Sequence, residues 1–510
     1  MITIVVDFPL AAPAKNLRPA QMRYVDPARK LAAGSSTNGV AIAAGLIVFA
    51  AAFVGPNLAL VAYAAIVLTL GLSMLWRPGE PPVMMFVFLY QWLQAAMGPI
   101  YGNLFGLRLS EMVQNLGDDS LACFLELTGT LVLAVGMRLA VGSSTFNLLP
   151  KIQLFVAKRP IGFWFRLYLG TAIFGAACNA LAYNASGLTQ LLLSLAQVKW
   201  AAYVLLTFAT FAVPGRSKFV WIGVSLLEFS LAIGGFFSTF KDVFFYGLFG
   251  VIGSGLRFRP RTIFLIGCAV LTFTFFGVVW SAVKQDYRDF VSSGYYDQSV
   301  NVSYGESIQY LGSLIGDLDG DGLAVGVDKL AQRTMYFEFF GAALDNVPTN
   351  VPHANGAIWG SAILRTFMPR LIFSDKAPVH DSELTRQYTG IRVSSYDTGT
   401  SISMGYIAEA YIDFGSVLMF LPILLLGAGL GYIYRRLVSV PGRNGVLGAA
   451  LSTFTLMQAY ALETSVLKLI PGIGLSLLAC VIILKFLAPL IWGVEAKTAA
   501  IGPGIRPRST

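Results

Sequence analysis

Charge is what this chain has least of. Of its 510 residues 12% are Asp, Glu, Lys or Arg, about half the roughly 25% of soluble domains, which excludes a water-exposed globular surface. Histidine is nearly absent, with only His353 and His380. The four cysteines, Cys123, Cys178, Cys268 and Cys480, are far apart and each sits inside an apolar run. That spacing excludes a disulfide framework or a thiolate metal knuckle and reads as small core residues. No Gly-rich phosphate loop ending in Lys, no dinucleotide fingerprint and no HExxH occurs, so nothing points to nucleotide use or zinc hydrolysis. Short alternating strands are missing too, which sets aside a membrane β-barrel.

What is present is hydrocarbon: 56% hydrophobic residues and a mean hydropathy of +0.67. A bilayer core about 30 Å thick takes about 20 apolar residues per helix, and only helices satisfy their own backbone there. The expectation is an all-α polytopic membrane protein. Apolar windows fall near residues 39–54, 57–76, 82–101, 120–141, 161–183, 189–213, 218–235, 242–255 and 262–283, then near 411–434, 446–463 and 470–492. With the N-terminus inside, twenty Lys and Arg fall on the cytoplasmic side, and only Arg108, Lys241 and Lys468 fall in short outside loops. The net charge of +9 is thereby a positive-inside signal, not a nucleic-acid signal.

The resulting plan has a flexible cytoplasmic tail (1–38) without a cleavable signal pattern and a nine-helix membrane region (39–283). A large extracytoplasmic loop (284–410), a three-helix membrane region (411–492) and a cytoplasmic tail (493–510) follow. The loop holds both histidines and 15 of the 27 acidic residues. Amphipathic helices are expected in it near 304–315, 328–344 and 357–367, at the membrane interface. Gly98/Gly102 and Gly427/Gly431 have the spacing that lets helices pack closely.

Candidate sites concentrate in that loop. Asp317, Asp319 and Asp321 with Gly322, then Asp328 at the twelfth position, fit the oxygen cage of a structural Ca²⁺, and fit a solvated acidic turn equally well. Inside the apolar segments Glu126, Lys199 and Glu228 are costly charges. Lys199 and Glu228 can pair between helices, or such groups can serve a transporter's proton relay. Gly360 to Gly415 is the most charge-bearing stretch. A reaction on the outer face can run without nucleotide if its donor carries a leaving group, as a lipid-linked diphosphate does. Arg365, Arg370 and Lys376 suit the developing negative charge, and His380, Asp381 and Glu409 are candidates to deprotonate an attacking hydroxyl. Glu409 and Asp413 share a face, four residues apart.

The run Phe367-Met-Pro369-Arg370-Leu-Ile-Phe-Ser-Asp375-Lys376-Ala-Pro378 resembles a stretch of bacterial O-antigen and exopolysaccharide repeat-unit polymerases, in which Pro-Arg precedes Asp-Lys-x-Pro. Gly399-Thr400-Ser401 and Gly405-Tyr-Ile-Ala-Glu409-Ala-Tyr411-Ile-Asp-Phe414-Gly415 are similar to the same family's entry into its next helix, and Arg333 matches an upstream arginine. Phe373-Ser374 stands where the family has Trp-Pro. The resemblance implies a metal-independent membrane glycosyltransferase of the GT-C kind in the bacterial inner membrane. It would move a growing glycan from undecaprenyl diphosphate onto the next lipid-linked repeat unit, with a flippase and a chain-length regulator as partners. Arg333, Arg365, Arg370 and Lys376 would hold the diphosphate. O-antigen ligase is the nearest alternative reading, and a lipid-linked oligosaccharide flippase a more distant one.

Overall fold

A computed structural model describes residues 28–113, 119–143, 145–182, 184–185, 187–233, 241–256, 260–292, 301–368, 373, 379–393, 401–442 and 444–489. Among these residues every regular element is helical. The first half of the chain contains α1 (Ala28–Ala51), α2 (Leu58–Leu75), α3 (Val83–Phe105), the short α4 (Leu109–Met112), α5 (Asp119–Val141) and α6 (Leu148–Ala157). It continues with α7 (Ile161–Ala182), α8 (Thr189–Ala196), α9 (Lys199–Phe211), α10 (Phe219–Ile233), α11 (Lys241–Gly253) and α12 (Pro260–Val291). Next come α13 (Tyr304–Gly316), α14 (Gly320–Thr334), α15 (Phe337–Asn346), α16 (Ala357–Thr366) and α17 (Asp381–Thr389). The chain then forms α18 (Tyr406–Leu418), α19 (Phe420–Val438), α20 (Asn444–Leu456) and α21 (Val466–Ile482).

Among the described residues eight helical segments are long and apolar enough to cross a membrane: Leu58–Leu75, Val83–Phe105, Asp119–Val141, Ile161–Ala182, Thr189–Phe211, Phe264–Val291, Phe420–Val438 and Val466–Leu487. The chain is a helical membrane protein. The other four apolar windows form shorter helices. Near 39–54 and 218–235 the apolar lengths are Gly39–Ala51 and Phe219–Ala232, while α11 and α20 have 13 residues each.

Local chemistry explains where the expected windows break. The 411–434 window is divided at Gly415, whose φ of +72° and ψ of 177° suit a residue without a side chain. The first part becomes α18, and the membrane helix proper starts at Phe420. Similarly, the helix expected over 328–344 is two, α14 and α15, separated at Met335 and Tyr336.

The tightest seam joins α5 to α19. A Cβ placed on Gly427 would lie 2.3 Å from the Leu133 carbonyl oxygen, and one on Gly431 would lie 2.4 Å from that of Met137. From the other side, Gly136 faces the Leu424 carbonyl equally closely, at 2.3 Å. In a bilayer, where apolar burial drives helices together only weakly, such backbone approach is the main packing term. Gly98 and Gly102 serve differently. Gly98 receives the Phe337 ring, and Gly102 the Leu107 carbonyl of the following turn.

α16 packs along α21, and Thr366 reaches the space beside Gly474, two turns into that helix. Residues 357–366 thus lie against two helices of membrane-spanning length, α19 and α21. Trp359 and Ile363 of α16, with Leu425 and Leu430 of α19 and Ile470 and Ile473 of α21, line an apolar groove of about 280 Å³.

Candidate functional site

The polar centre of the molecule is organised by α3. Successive turns of that helix place Tyr90, Gln91 and Gln94 against the irregular segment that follows α20, where carbonyls and amides lack helical partners. The Gln91 amide donates to the Ala459 carbonyl at 2.7 Å, and its oxygen accepts from the Tyr406 hydroxyl at 2.7 Å. Gln94 donates through Nε2 to Glu463 Oε2 at 2.6 Å, while its own oxygen accepts from the Leu462 N–H at 2.8 Å. Both glutamines are buried and Glu463 is half-buried. At the edge of this network Lys241, which opens α11, donates to the Tyr460 hydroxyl at 2.7 Å. The Tyr460 ring in turn packs on Tyr90, with centroids 4.9 Å apart.

Cations gather around the same place. Lys284 lies within electrostatic reach of Arg333, Arg288 and Lys241. Arg333 and Lys241 also act on Tyr90, as does Glu463. These groups come from three elements: the start of α11, the end of α12 and the last turn of α14. Lys284 and Arg333 form no salt bridge among the described residues. Lys241, Lys284 and Arg288 are half-buried and Arg333 is exposed; like charges held close together repel, and a bound polyanion relieves that repulsion. Behind the cations, Tyr336 lies within reach of Glu463, Glu126, Glu409 and Asp381.

The candidates named from sequence are distributed unevenly. Arg333 belongs to the cation cluster, and Arg365 is half-buried in the last turn of α16. Arg370 and Lys376 lie outside the described residues. Glu409 is buried and accepts the Val466 N–H at 2.6 Å, at the start of α21. It lies ahead of the Phe420–Val438 span, and burial pushes its carboxyl up to about 8. Asp413 accepts the Ile358 and Trp359 N–H groups at 3.2 and 2.8 Å. The pair four residues apart thus satisfies two helix N-termini, those of α21 and α16. Asp381 is buried, ion-paired with Lys468 and bonded to Ser401 at 3.1 Å, and His380 is half-buried just before α17.

The acidic turn takes a form other than the expected loop. Asp319 caps α14, accepting from the Gly322 N–H at 2.8 Å. Asp328 is already two turns inside that helix, where it accepts from the Tyr101 hydroxyl. Helix geometry thereby separates Asp317, Asp319 and Asp321 from Asp328. Among the described residues no three His, Cys, Asp or Glu side chains gather in a way that could hold a metal. The residues do not fit a Ca²⁺ cage.

Within the bundle, Lys199 and Glu228 do pair, at 2.8 Å, and Tyr168 also bonds Glu228. Glu126 is buried in α5, and its Oε2 has no hydrogen-bond partner among the described residues. Reasoning from sequence missed Lys241, Lys284, Arg288, Gln94 and Glu463 as parts of the polar centre. One signal was available: Lys241 is among the three basic residues that break the positive-inside pattern. Compared with known proteins, the chain matches no family model, no curated protein and no solved structure.

Proposed function

We propose that the chain polymerises oligosaccharide repeat units carried on undecaprenyl diphosphate, on the outer face of the bacterial inner membrane. In this reading twelve segments cross or enter the bilayer, both termini are cytoplasmic, and residues 284–410 lie outside. The observation that carries it is the placement of Lys241, Arg288 and Arg333 within electrostatic reach of Lys284, with Lys241 and Arg333 acting on Tyr90 together with the half-buried Glu463. A diphosphate leaving group develops negative charge as its bond to the sugar breaks, and preorganised cations stabilise that charge most where water is scarce. Arg333 is also the residue that matches the upstream arginine of the polymerase motif, so motif and cluster meet at one side chain. The apolar groove between α16, α19 and α21 suits a protein that handles lipid-linked substrates.

The test is deletion of the gene, followed by electrophoresis of the surface glycan and complementation. Single-repeat capping with loss of long chains is the expected result. The double substitution R333A/K284A, inserted at normal levels, leaves that phenotype in place and lowers transfer by about 10²–10³-fold, the usual loss for removing stabilising donors. Long chains accumulating on carrier lipid would instead identify a ligase, and repeats trapped inside would identify a flippase.

A further inference from the structure

We infer that Glu463 is the general base of this transfer, aligned by Gln94; the inference rests on the polymerase reading and deepens it. Four carboxylates lie within electrostatic reach of Tyr336: Glu463, Glu126, Glu409 and Asp381. Two are committed elsewhere, Glu409 to the Val466 N–H at the start of α21 and Asp381 to Lys468. Glu126 is 3% exposed, inside a helix of membrane-spanning length. Glu463 differs in being half-buried, where a sugar hydroxyl can reach it.

Its orientation is fixed from behind. The Leu462 N–H donates to the Gln94 oxygen, so the amide nitrogen of Gln94 must face Glu463, and it donates to Oε2 at 2.6 Å. Oε1 makes no hydrogen bond among the described residues and is the oxygen left for substrate. A base held in one rotamer by a buried amide gains from proximity what a free surface carboxylate loses to disorder.

In the step itself the acceptor hydroxyl oxygen forms a bond to the anomeric carbon of the donor sugar. The bond from that carbon to the diphosphate oxygen breaks, and its electron pair stays on the diphosphate among the cations. The hydroxyl proton passes to Glu463 Oε1 and then to water. The lysines and arginines neutralise the leaving group, and Glu463 supplies the one proton acceptor the reaction needs.

The experiment uses the purified full-length protein in nanodiscs. Transfer is measured with lipid-linked repeat units extracted from the deletion strain, and binding with undecaprenyl diphosphate. Glu463→Gln keeps an oxygen to accept from Gln94, so the fold persists. Transfer falls by about 10²–10⁴-fold, the usual contribution of a positioned base, while affinity for undecaprenyl diphosphate stays within a factor of three. Glu463→Asp recovers part of the rate. Wild-type transfer by Glu463→Gln, or a rate loss matched by an equal loss of affinity, overturns the base assignment and leaves the polymerase reading standing. A wild-type protein that transfers nothing overturns both.

Discussion

Two charged regions of this molecule are built on opposite terms. Between α9 and α10, Lys199 meets Glu228 at 2.8 Å with Tyr168 on the same carboxylate, so each charge has a partner. Around Lys284, the cations Arg333, Arg288 and Lys241 all lie within electrostatic reach, and Lys284 and Arg333 form no salt bridge among the described residues. The first arrangement is what a scaffold requires, because a charge in a poorly solvated place is tolerated when neutralised locally. The second gathers like charges, whose mutual repulsion an anion would offset, as the proposed function requires. Balanced charge suits a scaffold, and gathered like charge suits the anion site proposed above.

The contrast breaks most visibly under single substitutions. Lys199→Met strands Glu228 and is expected to cost about 3–5 kcal/mol, the usual cost of breaking a buried pair from one side. Adding Glu228→Gln restores most of it. Lys284→Met, by contrast, removes a repelling charge and leaves thermal stability unchanged or slightly higher. Melting of the detergent-solubilised variants measures both. If Lys284→Met destabilised as strongly as Lys199→Met, the cluster would be a structural pair with an overlooked partner, and the distinction would fail.

A second test concerns Glu409, named from sequence as a candidate base and found buried against the N-terminus of α21. Its carboxyl is raised to about 8 from an ordinary 4.5 by burial, against the lowering effect of the Val466 and Ser465 hydrogen bonds. The folded state therefore binds more protons than the unfolded chain between about pH 4.5 and 8, and stability falls as pH rises through that window. Each pH unit across the window is worth about 1.4 kcal/mol, so the decline attributable to Glu409 is on the order of a few kcal/mol. Glu409→Gln, which still accepts from Val466, is expected to flatten stability between pH 5 and pH 8. An unchanged pH dependence in that variant would show that the carboxylate is ionised when folded.

How far these regions could be read from residues alone follows from the range of the interactions involved. Membrane helices are long apolar runs, a local property, and the eight of spanning length lie where hydropathy places them. The Lys199–Glu228 pair was also legible, because two opposite charges on neighbouring apolar segments have few other partners. The breaks at Gly415 and at Met335–Tyr336 were not legible, since an apolar or amphipathic pattern continues through both. Nor was the cation cluster, whose members are up to 92 positions apart, from Lys241 to Arg333. The motif stretch 360–415 contributed buried caps and clasps among its described residues, namely Glu409, Asp413 and Asp381. Charge density along a sequence does not distinguish a carboxylate that closes a helix from one that faces substrate.

Asp319 gives the mildest form of the same distinction. The run Asp317-Leu-Asp319-Gly-Asp321-Gly322 has the letters of a cation loop, yet Asp319 accepts the Gly322 N–H at 2.8 Å as the first residue before α14. A cap and a cage make different demands. A cage needs several carboxylates together and acts only with its ion, whereas a cap needs one short acceptor and works as well with Asn. Asp319→Ala is therefore expected to lower stability by about 1 kcal/mol, and Asp319→Asn by a few tenths at most. Asp317→Ala and Asp321→Ala should leave melting unchanged, and millimolar Ca²⁺ should raise the melting temperature of none of these proteins. A Ca²⁺-dependent rise in the wild type, lost together in all three alanine variants, would replace the cap by a cage.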